Sequence, residues 1–215
     1  MKIGVFDSGI GGLSVVNAIK EALPDYEVVF ANDTKNVPYG TKSPGQLLPL
    51  VEPILQELID KGCQVIVVAC NTVSTTLIEE LRQKLSVPLI AMEPMVKPAA
   101  ELTKTGVIAV CATPTTLSSQ RYAWLKETYA SQIKVIEPDC SDWTVMIEAN
   151  QIDQEKIHNE IEAACNQQAD VIVLGCTHYH WIEDIIKVEA GNRAKVLQPE
   201  QPVIIQLKRV LEQLA

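Results

Sequence analysis

Two short runs of branched apolar residues, each ending in a cysteine, constrain the fold of this chain most strongly. Residues 65–74 read VIVVACNTVS, and residues 171–178 read VIVLGCTH. A short, continuously apolar, β-branched run predicts a strand that is buried on both faces of a parallel sheet. Polar residues that follow such a strand lie at its carboxyl end, where open α/β folds bind ligands. The sequence therefore predicts two matching half-sites, with Cys70 in one and Cys176 in the other.

Strands and amphipathic helices alternate on either side of the proline-rich segment 93–98. Strands are expected at residues 2–6, 27–31, 65–68, 88–92, 106–111, 133–136, 171–174 and 194–197. Helices are expected at residues 13–23, 46–61, 74–85, 118–129, 155–167, 179–189 and 203–214. This alternation predicts an α/β fold of two doubly wound parallel-sheet domains related by pseudo-twofold symmetry.

The proline-rich segments 93–98 and 198–202 predict where the chain passes between the two domains. We expect residues 1–93 plus 203–215 to form an N-terminal domain, onto which the last helix packs back. Residues 94–202 are expected to form the second domain.

Charge and cysteine spacing narrow the class of partner. The net charge of −9 argues against binding to nucleic acid or to an anionic membrane surface. No apolar run approaches the roughly 20 residues of a membrane-spanning helix, and the first residues predict a strand and a turn, not a signal peptide. We therefore expect a cytoplasmic protein whose six cysteines, which form no CxxC pair, are free thiols.

A glycine-rich turn, Gly9-Ile10-Gly11-Gly12, follows the first predicted strand. One interpretation is a dinucleotide-binding fingerprint with Asp33 as the ribose-binding acid, which would indicate a dehydrogenase. However, Ser14 occupies the place of the third glycine, and the charge of Asp7 would repel a pyrophosphate. We favour the alternative that Ser8 and nearby backbone amides bind a carboxylate.

A weak candidate for a metal cluster is the set Cys176, His178 and His180, together with Cys70. Zinc sites usually show closer paired spacings than these residues do. We therefore expect no metal at these residues.

Two opposed thiols suit a racemase, in which one thiolate removes a proton from one face of a carbon and a thiol returns a proton to the other face. A free cysteine has a pKa near ~8.5, so modest tuning brings it close to working pH, where acid–base catalysts are most effective. Asp7 beside Cys70 and His178 beside Cys176 are the expected tuning groups. Candidate donors to the substrate carboxylate are Ser8, Asn71, Thr72 and Thr177.

Five stretches of the chain, spread over nearly its whole length, together resemble the glutamate racemases of the cofactor-independent aspartate/glutamate racemase superfamily. They are FDSGIGGLSV at residues 6–15, DTKNVPYGTKS at 33–43, ACNTVS at 69–74, ATPTTLSSQRY at 112–122 and GCTHY at 175–179. The resemblance implies that Cys70 and Cys176 are the acid/base pair, with Cys70 acting on D-glutamate and Cys176 on L-glutamate. It further implies no cofactor, a role in supplying D-glutamate for peptidoglycan, and a homodimer.

The same resemblance implies roles for the other site residues. Asp7, His178 and Glu148 would assist the two cysteines. The substrate contacts would be Asp7, Ser8, Tyr39, Gly40, Asn71, Thr72, Thr116, Thr177 and His178.

The chain departs from the family pattern only in its second half. The differences are residues 139–148, His180 in place of a common proline, residues 198–202, and a shorter overall length. Two alternatives therefore stay open beside glutamate racemisation. One is an aspartate-type racemase, whose substrate differs by one methylene, a difference that a pocket discriminates only modestly. The other is a catalytically weakened homologue that acts as an amino-acid-binding regulatory protein.

Overall fold

The computed structural model describes residues 1–214, and within them the strands form two parallel sheets of four strands each. The first sheet contains β1 (Lys2–Asp7), β2 (Glu27–Asn32), β3 (Cys63–Val68) and β4 (Leu89–Ala91) in the order β2-β1-β3-β4. The second contains β5 (Val107–Ala112), β6 (Lys134–Ile136), β7 (Val171–Gly175) and β8 (Lys195–Leu197) in the order β6-β5-β7-β8. The two orders are the same, as the predicted pseudo-twofold relation requires.

Helices cover both faces of each sheet, so the fold is doubly wound as predicted. The helices are α1 (Leu13–Ala22), α2 (Pro44–Asp60), α3 (Asn71–Thr76), α4 (Ile78–Lys84), α5 (Val96–Leu102), α6 (Pro114–Leu117), α7 (Gln120–Tyr129), α8 (Trp143–Glu148), α9 (Gln154–Asn166), α10 (Glu183–Ala190) and α11 (Glu200–Leu214). The central strands β1, β3, β5 and β7 are buried on both faces, which explains their continuously apolar sequences.

Strand order places the ends of β1 and β3 side by side, and likewise the ends of β5 and β7. In each sheet the connections leave in opposite directions at this point, so a crevice opens at the carboxyl ends of the two central strands. Such crevices are where open α/β sheets bind ligands.

Two predicted helices are wrong in their extent. The helix expected at residues 74–85 begins earlier, as α3, and is broken at Leu77 before α4. Thr75 and Thr76 donate their hydroxyls to carbonyls one turn back, an arrangement that bends helices. The helix expected at residues 179–189 is instead a 3-10 helix (Thr177–Ile182) followed by α10.

The non-helical connections are shorter than the proline-rich segments 93–98 and 198–202, because α5 and α11 begin inside those segments. In α5 and α11, Pro98 and Pro202 occupy the first helical turn. Proline is tolerated there because backbone N–H groups of the first turn have no intrahelical partner. The sequence analysis missed α6 because it begins at Pro114, which looks like a break. It also missed α8, which lies in the segment that departs from the family pattern.

The last helix packs on the first sheet. Its buried residues Val203, Ile204, Leu207 and Leu211 share one apolar core with residues of β1 and β3. This return places the start of α11 next to the boundary between the two sheets. None of the helices within residues 1–214 combines the length and apolar character needed to cross a membrane.

We expect Leu207→Ala to lower the free energy of unfolding by about 2–5 kcal/mol, because Leu207 is 0% exposed in the core beneath α11. The matched control is Ile205→Ala on the same helix, where the side chain is 51% exposed and we expect a change within about 0.5 kcal/mol. Urea denaturation followed by circular dichroism measures both. Equal effects of the two substitutions would contradict the packing described here.

Candidate active site

A small cavity lies between the carboxyl ends of the two sheets and contains both predicted catalytic thiols. Its volume is about 10 Å³, about the space that one water molecule requires. Its lining comes from both halves of the chain: Ser8, Tyr39, Gly40, Cys70, Asn71, Thr72, Thr113, Thr144, Cys176, Thr177 and His178.

Cys70 sits between the end of β3 and the first turn of α3 and is buried. Its thiol donates to Ser8 Oγ over 3.5 Å. Burial, and then the charge of Asp7, raises the pKa of Cys70 to about 12. Cys70 is therefore a protonated thiol at neutral pH. The expectation that Asp7 brings the pKa of Cys70 closer to working pH is wrong in direction, because a carboxylate disfavours a neighbouring thiolate.

Cys176 follows β7 and has a different electrostatic environment. Its Sγ lies 3.7 Å from His178 Nδ1 and 3.9 Å from Thr144 Oγ1. The other ring nitrogen, His178 Nε2, lies 2.6 Å from Glu148 Oε1. His178 therefore bridges Glu148 and Cys176, and the sequence prediction that His178 tunes Cys176 stays a prediction.

The charge on His178 follows from its two partners. Burial alone would lower the pKa of His178, but the hydrogen bonds to Cys176 and Glu148 raise it to about 10. The hydrogen bond from His178 in turn lowers the pKa of the Glu148 carboxyl. Glu148, as carboxylate, and His178, as imidazolium, therefore form an ion pair beside Cys176 Sγ.

Asp7 links the glycine-rich turn to the second sheet's half-site. Its carboxylate accepts hydrogen bonds from the backbone N–H of Gly9 and Gly12, at 3.3 and 2.9 Å, and from Thr177 Oγ1 at 3.1 Å. Burial raises the pKa of Asp7, while the charge of His178 and these hydrogen bonds oppose that rise. Asp7 does not line the cavity itself, so its part is to orient the residues that do.

The glycine-rich turn allows the two halves of the chain to approach closely. A Cβ atom on Gly9 would lie 2.0 Å from Glu148 Oε1, and one on Gly11 would lie 2.6 Å from the backbone nitrogen of His178. Glu148 also accepts a hydrogen bond from the N–H of Ile10 over 3.1 Å. The glycines therefore serve contact between the domains, in place of the pyrophosphate contact that a dinucleotide-binding fingerprint would make.

Threonine hydroxyls join the two halves on the other side of the cavity. Thr72 Oγ1 lies 2.9 Å from Thr113 Oγ1, which lies 3.0 Å from Thr116 Oγ1. Thr115 Oγ1 donates to the carbonyl of Gly40 over 2.8 Å. Thr116, which the sequence analysis names as a substrate contact, has its Oγ1 3.4 Å from Thr72 Oγ1. It does not line the cavity, whereas Thr113 does.

Thr113 and Thr144 are the lining residues that sequence reasoning missed. Thr113 carries a recognisable signal, because a threonine directly before Pro114 is a typical N-cap. Thr144 carries none, because it lies on α8 in the segment that departs from the family pattern.

Asn71 and Tyr39 are placed in the cavity wall as predicted, and they differ in their hydrogen bonding. Tyr39 Oη donates to Asp33 Oδ2 over 2.6 Å, and burial together with that carboxylate raises the pKa of Tyr39. Both polar side-chain atoms of Asn71 are buried and lack a hydrogen-bond partner among residues 1–214. A buried amide without partners is costly, so the side chain of Asn71 has hydrogen-bonding capacity left for a polar ligand.

Over the described residues 1–214, no cluster of three or more His, Cys, Asp or Glu side chains could hold a metal ion. Cys176 and His178 instead contact each other and Glu148.

Comparisons with known proteins agree with the geometry. The sequence model of the family described as Asp/Glu/Hydantoin racemase matches residues 3–201. A glutamate racemase of Herpetosiphon aurantiacus is 36% identical over 213 residues, covering 97% of this chain and 84% of that protein. One of Clostridium perfringens is 36% identical over 216 residues, covering 98% and 83%.

Among solved structures, Escherichia coli glutamate racemase in complex with L-glutamate superposes with a TM-score of 0.84 at 27% identity, over 98% of this chain and 82% of that one. The family match spans most of the chain, and the relatives are more than one-third identical over nearly all of it. The chain therefore belongs to the Asp/Glu/Hydantoin racemase family, and the enzyme that it forms is a racemase.

Proposed function

We propose that this enzyme interconverts L- and D-glutamate by two-base proton transfer between Cys70 and Cys176, without a cofactor. The observation that carries the proposal is that the two thiols line one cavity from opposite halves of the chain in different electrostatic environments. Cys70 is held protonated by burial and Asp7, whereas Cys176 faces the His178 imidazolium. We therefore assign Cys70 as the acid and Cys176 as the base in the direction from L- to D-glutamate.

In the direction from L- to D-glutamate, the Cys176 thiolate removes the α-proton and becomes a thiol. The electron pair left on the α-carbon accepts the proton of Cys70 from the opposite face, so Cys70 becomes a thiolate. The reverse reaction starts from that second protonation state, with Cys70 as base and Cys176 as acid. The charge of His178 stabilises the thiolate at Cys176, and its bond to Glu148 keeps the ring oriented.

Polar groups in the cavity wall that have unused hydrogen-bonding capacity would hold the substrate. Asn71 offers a donor and an acceptor that have no partner among residues 1–214. Ser8, Thr72 and Thr177 add hydroxyls close to the two thiols. Fixed donors aimed at the substrate carboxylate would delocalise and stabilise the negative charge that develops at the α-carbon. Tyr39 and Gly40 complete the predicted substrate contacts.

The cavity of about 10 Å³ is far too small for an amino acid. Substrate entry therefore requires the two halves of the chain to separate. We propose that residues 1–93 plus 203–215 and residues 94–202 move as the two domains, about the connections near residues 93–98 and 198–202.

Glutamate is the proposed substrate because both relatives described above are glutamate racemases and the E. coli structure holds L-glutamate. Supply of D-glutamate for peptidoglycan and a homodimeric assembly come from the resemblance, and a cytoplasmic location comes from the sequence expectation. All three are part of the same proposal. An aspartate-type racemase and a weakened, amino-acid-binding homologue are the alternatives that the first experiment separates.

The first test is a circular-dichroism time course with D-glutamate, no added cofactor and a chelator present. We expect ellipticity to decay to zero as the racemic mixture forms, because the two thiols need no further group. Decay with D-aspartate but not with D-glutamate would indicate the aspartate-type enzyme. Binding of glutamate by calorimetry without any decay would contradict the proposal and indicate a binding protein.

We expect Cys70→Ser and Cys176→Ser each to lower kcat for racemisation by at least about 10³-fold, because each removes one of two required proton-transfer groups. The matched control is Cys165→Ala, which removes a thiol on α9 that does not line the cavity. Racemisation within a few-fold of the unmodified enzyme in either serine variant would overturn the two-base assignment.

The pH dependence of kcat/KM tests the role of the Glu148–His178 ion pair beside Cys176. Because the pKa of His178 is raised to about 10, kcat/KM should fall as pH rises through that value and the imidazolium is lost. Glu148→Gln removes the carboxylate that helps to raise this pKa, so the alkaline limb should shift to lower pH, toward the ordinary histidine value of 6.5. Glu189→Gln, which alters the exposed His158–Glu189 pair, is the control and should leave the limb unchanged.

A further inference from the structure

A second histidine–carboxylate group lies outside the cavity and joins three elements of the fold. His180 Nδ1 lies 3.0 Å from Ser14 Oγ and 3.2 Å from Glu200 Oε1. Ser14 belongs to α1, His180 to the 3-10 helix after β7, and Glu200 to the first turn of α11. The side chain of His180 is 3% exposed and that of Glu200 is 16% exposed, so the group is shielded from water.

One assignment of protons satisfies these distances. Burial would raise the pKa of Glu200, but the hydrogen bond from His180 lowers it, so Glu200 is a carboxylate. His180 Nδ1 therefore carries a hydrogen, which it shares between the carboxylate and Ser14 Oγ. Ser14 in turn donates its hydroxyl hydrogen to the carbonyl of Gly11 over 3.2 Å. His180 Nε2 is buried without a partner among residues 1–214, so Nδ1 makes the polar contacts of this side chain.

The group is attached directly to one half-site. His180 lies two residues after His178 and four after Cys176, in the 3-10 helix that also carries Thr177. Gly11, whose carbonyl ends the hydrogen-bond chain, packs so closely that a Cβ there would lie 2.6 Å from the backbone nitrogen of His178. Cys70 and Asn71, by contrast, are carried by β3 and α3 in the first half of the chain. A shift of His180 therefore displaces the Cys176 half-site relative to Cys70.

We propose that Ser14, His180 and Glu200 form a positioning group that holds the Cys176–His178 segment at its working distance from Cys70, with His180 Nδ1 as its centre. This inference rests on the proposed racemase function. His180 touches no reacting atom, and it acts through the backbone of the 3-10 helix. Removing one partner of a buried carboxylate pair also costs stability, so the test compares the activity of variants that fold.

The test compares two amide substitutions that differ in where they place a donor. In His180→Asn the side-chain nitrogen takes the place of Nδ1, whereas in His180→Gln it takes the place of Nε2. We expect the Gln variant to lose about 10- to 100-fold in kcat for racemisation with little change in KM, as a displacement of the order of 1 Å would cause. The Asn variant should stay within about threefold of the unmodified enzyme. His158→Asn and His158→Gln, in the exposed His158–Glu189 pair, are the matched controls.

A second reaction separates positioning from general damage. A D-glutamate analogue with a halogen on its β-carbon needs one base only. Cys70 removes the α-proton, the C–H electron pair forms a carbon–carbon double bond, and halide leaves with the electron pair of the carbon–halogen bond. The Gln variant should retain this elimination while racemisation falls. A parallel loss of both reactions would overturn the positioning role.

The remaining outcomes are also decisive. Equal losses in the Asn and Gln variants would overturn the assignment to Nδ1. Should the Gln variant not fold, Ser14→Ala leaves the ring in place, and the same loss of racemisation with retained elimination is expected of it. If the unmodified enzyme racemises glutamate and none of these variants loses racemase activity, this inference alone is overturned. Absence of racemisation in the unmodified enzyme would instead overturn the proposed function and this inference together.

Discussion

The contact on which the rest of the structure depends is the close approach of the glycine-rich turn to the second half of the chain. Gly9 and Gly11 leave room for Glu148 and for the backbone of His178, and a methyl group at either position would collide with them. Asp7 then reaches Thr177, and Glu148 reaches His178 and the N–H of Ile10. Without this approach the two thiols would belong to two separate surfaces, and neither would face a common substrate.

The two thiols are chemically identical but have different surroundings. Cys70 is buried near a carboxylate, so its thiol form is favoured and its pKa is about 12. Cys176 is buried beside the imidazole of His178, whose pKa the hydrogen bonds to Cys176 and Glu148 raise to about 10. The proposed reaction needs one acid and one base on opposite faces of a carbon, and this difference in surroundings is the basis for assigning those two parts.

Much of the fold and of the site could be predicted from the sequence, because the signals involved are local. The apolar strands before Cys70 and Cys176 predicted the parallel sheets, and strand ends carry their polar residues to the same edge by geometry alone. The failures have local causes as well. Pro98, Pro114 and Pro202 look like breaks in the sequence but lie in first turns of helices, and threonine hydroxyls end α3 early. Thr144 escaped notice because nothing around it marks α8 as part of a site.

The sequence by itself determined the fold class, the pair of half-sites and the identity of the two thiols, since each follows from residue type and spacing along the chain. Only the tertiary structure decided how those thiols differ, that Asp7 raises the pKa of Cys70, that Thr113 stands in the wall where Thr116 was expected, and that His180 meets Ser14 and Glu200. The physical reason is that burial, charge–charge distance and hydrogen bonding in the site arise from residues 20 to 170 positions apart, which are brought together only when the whole chain folds.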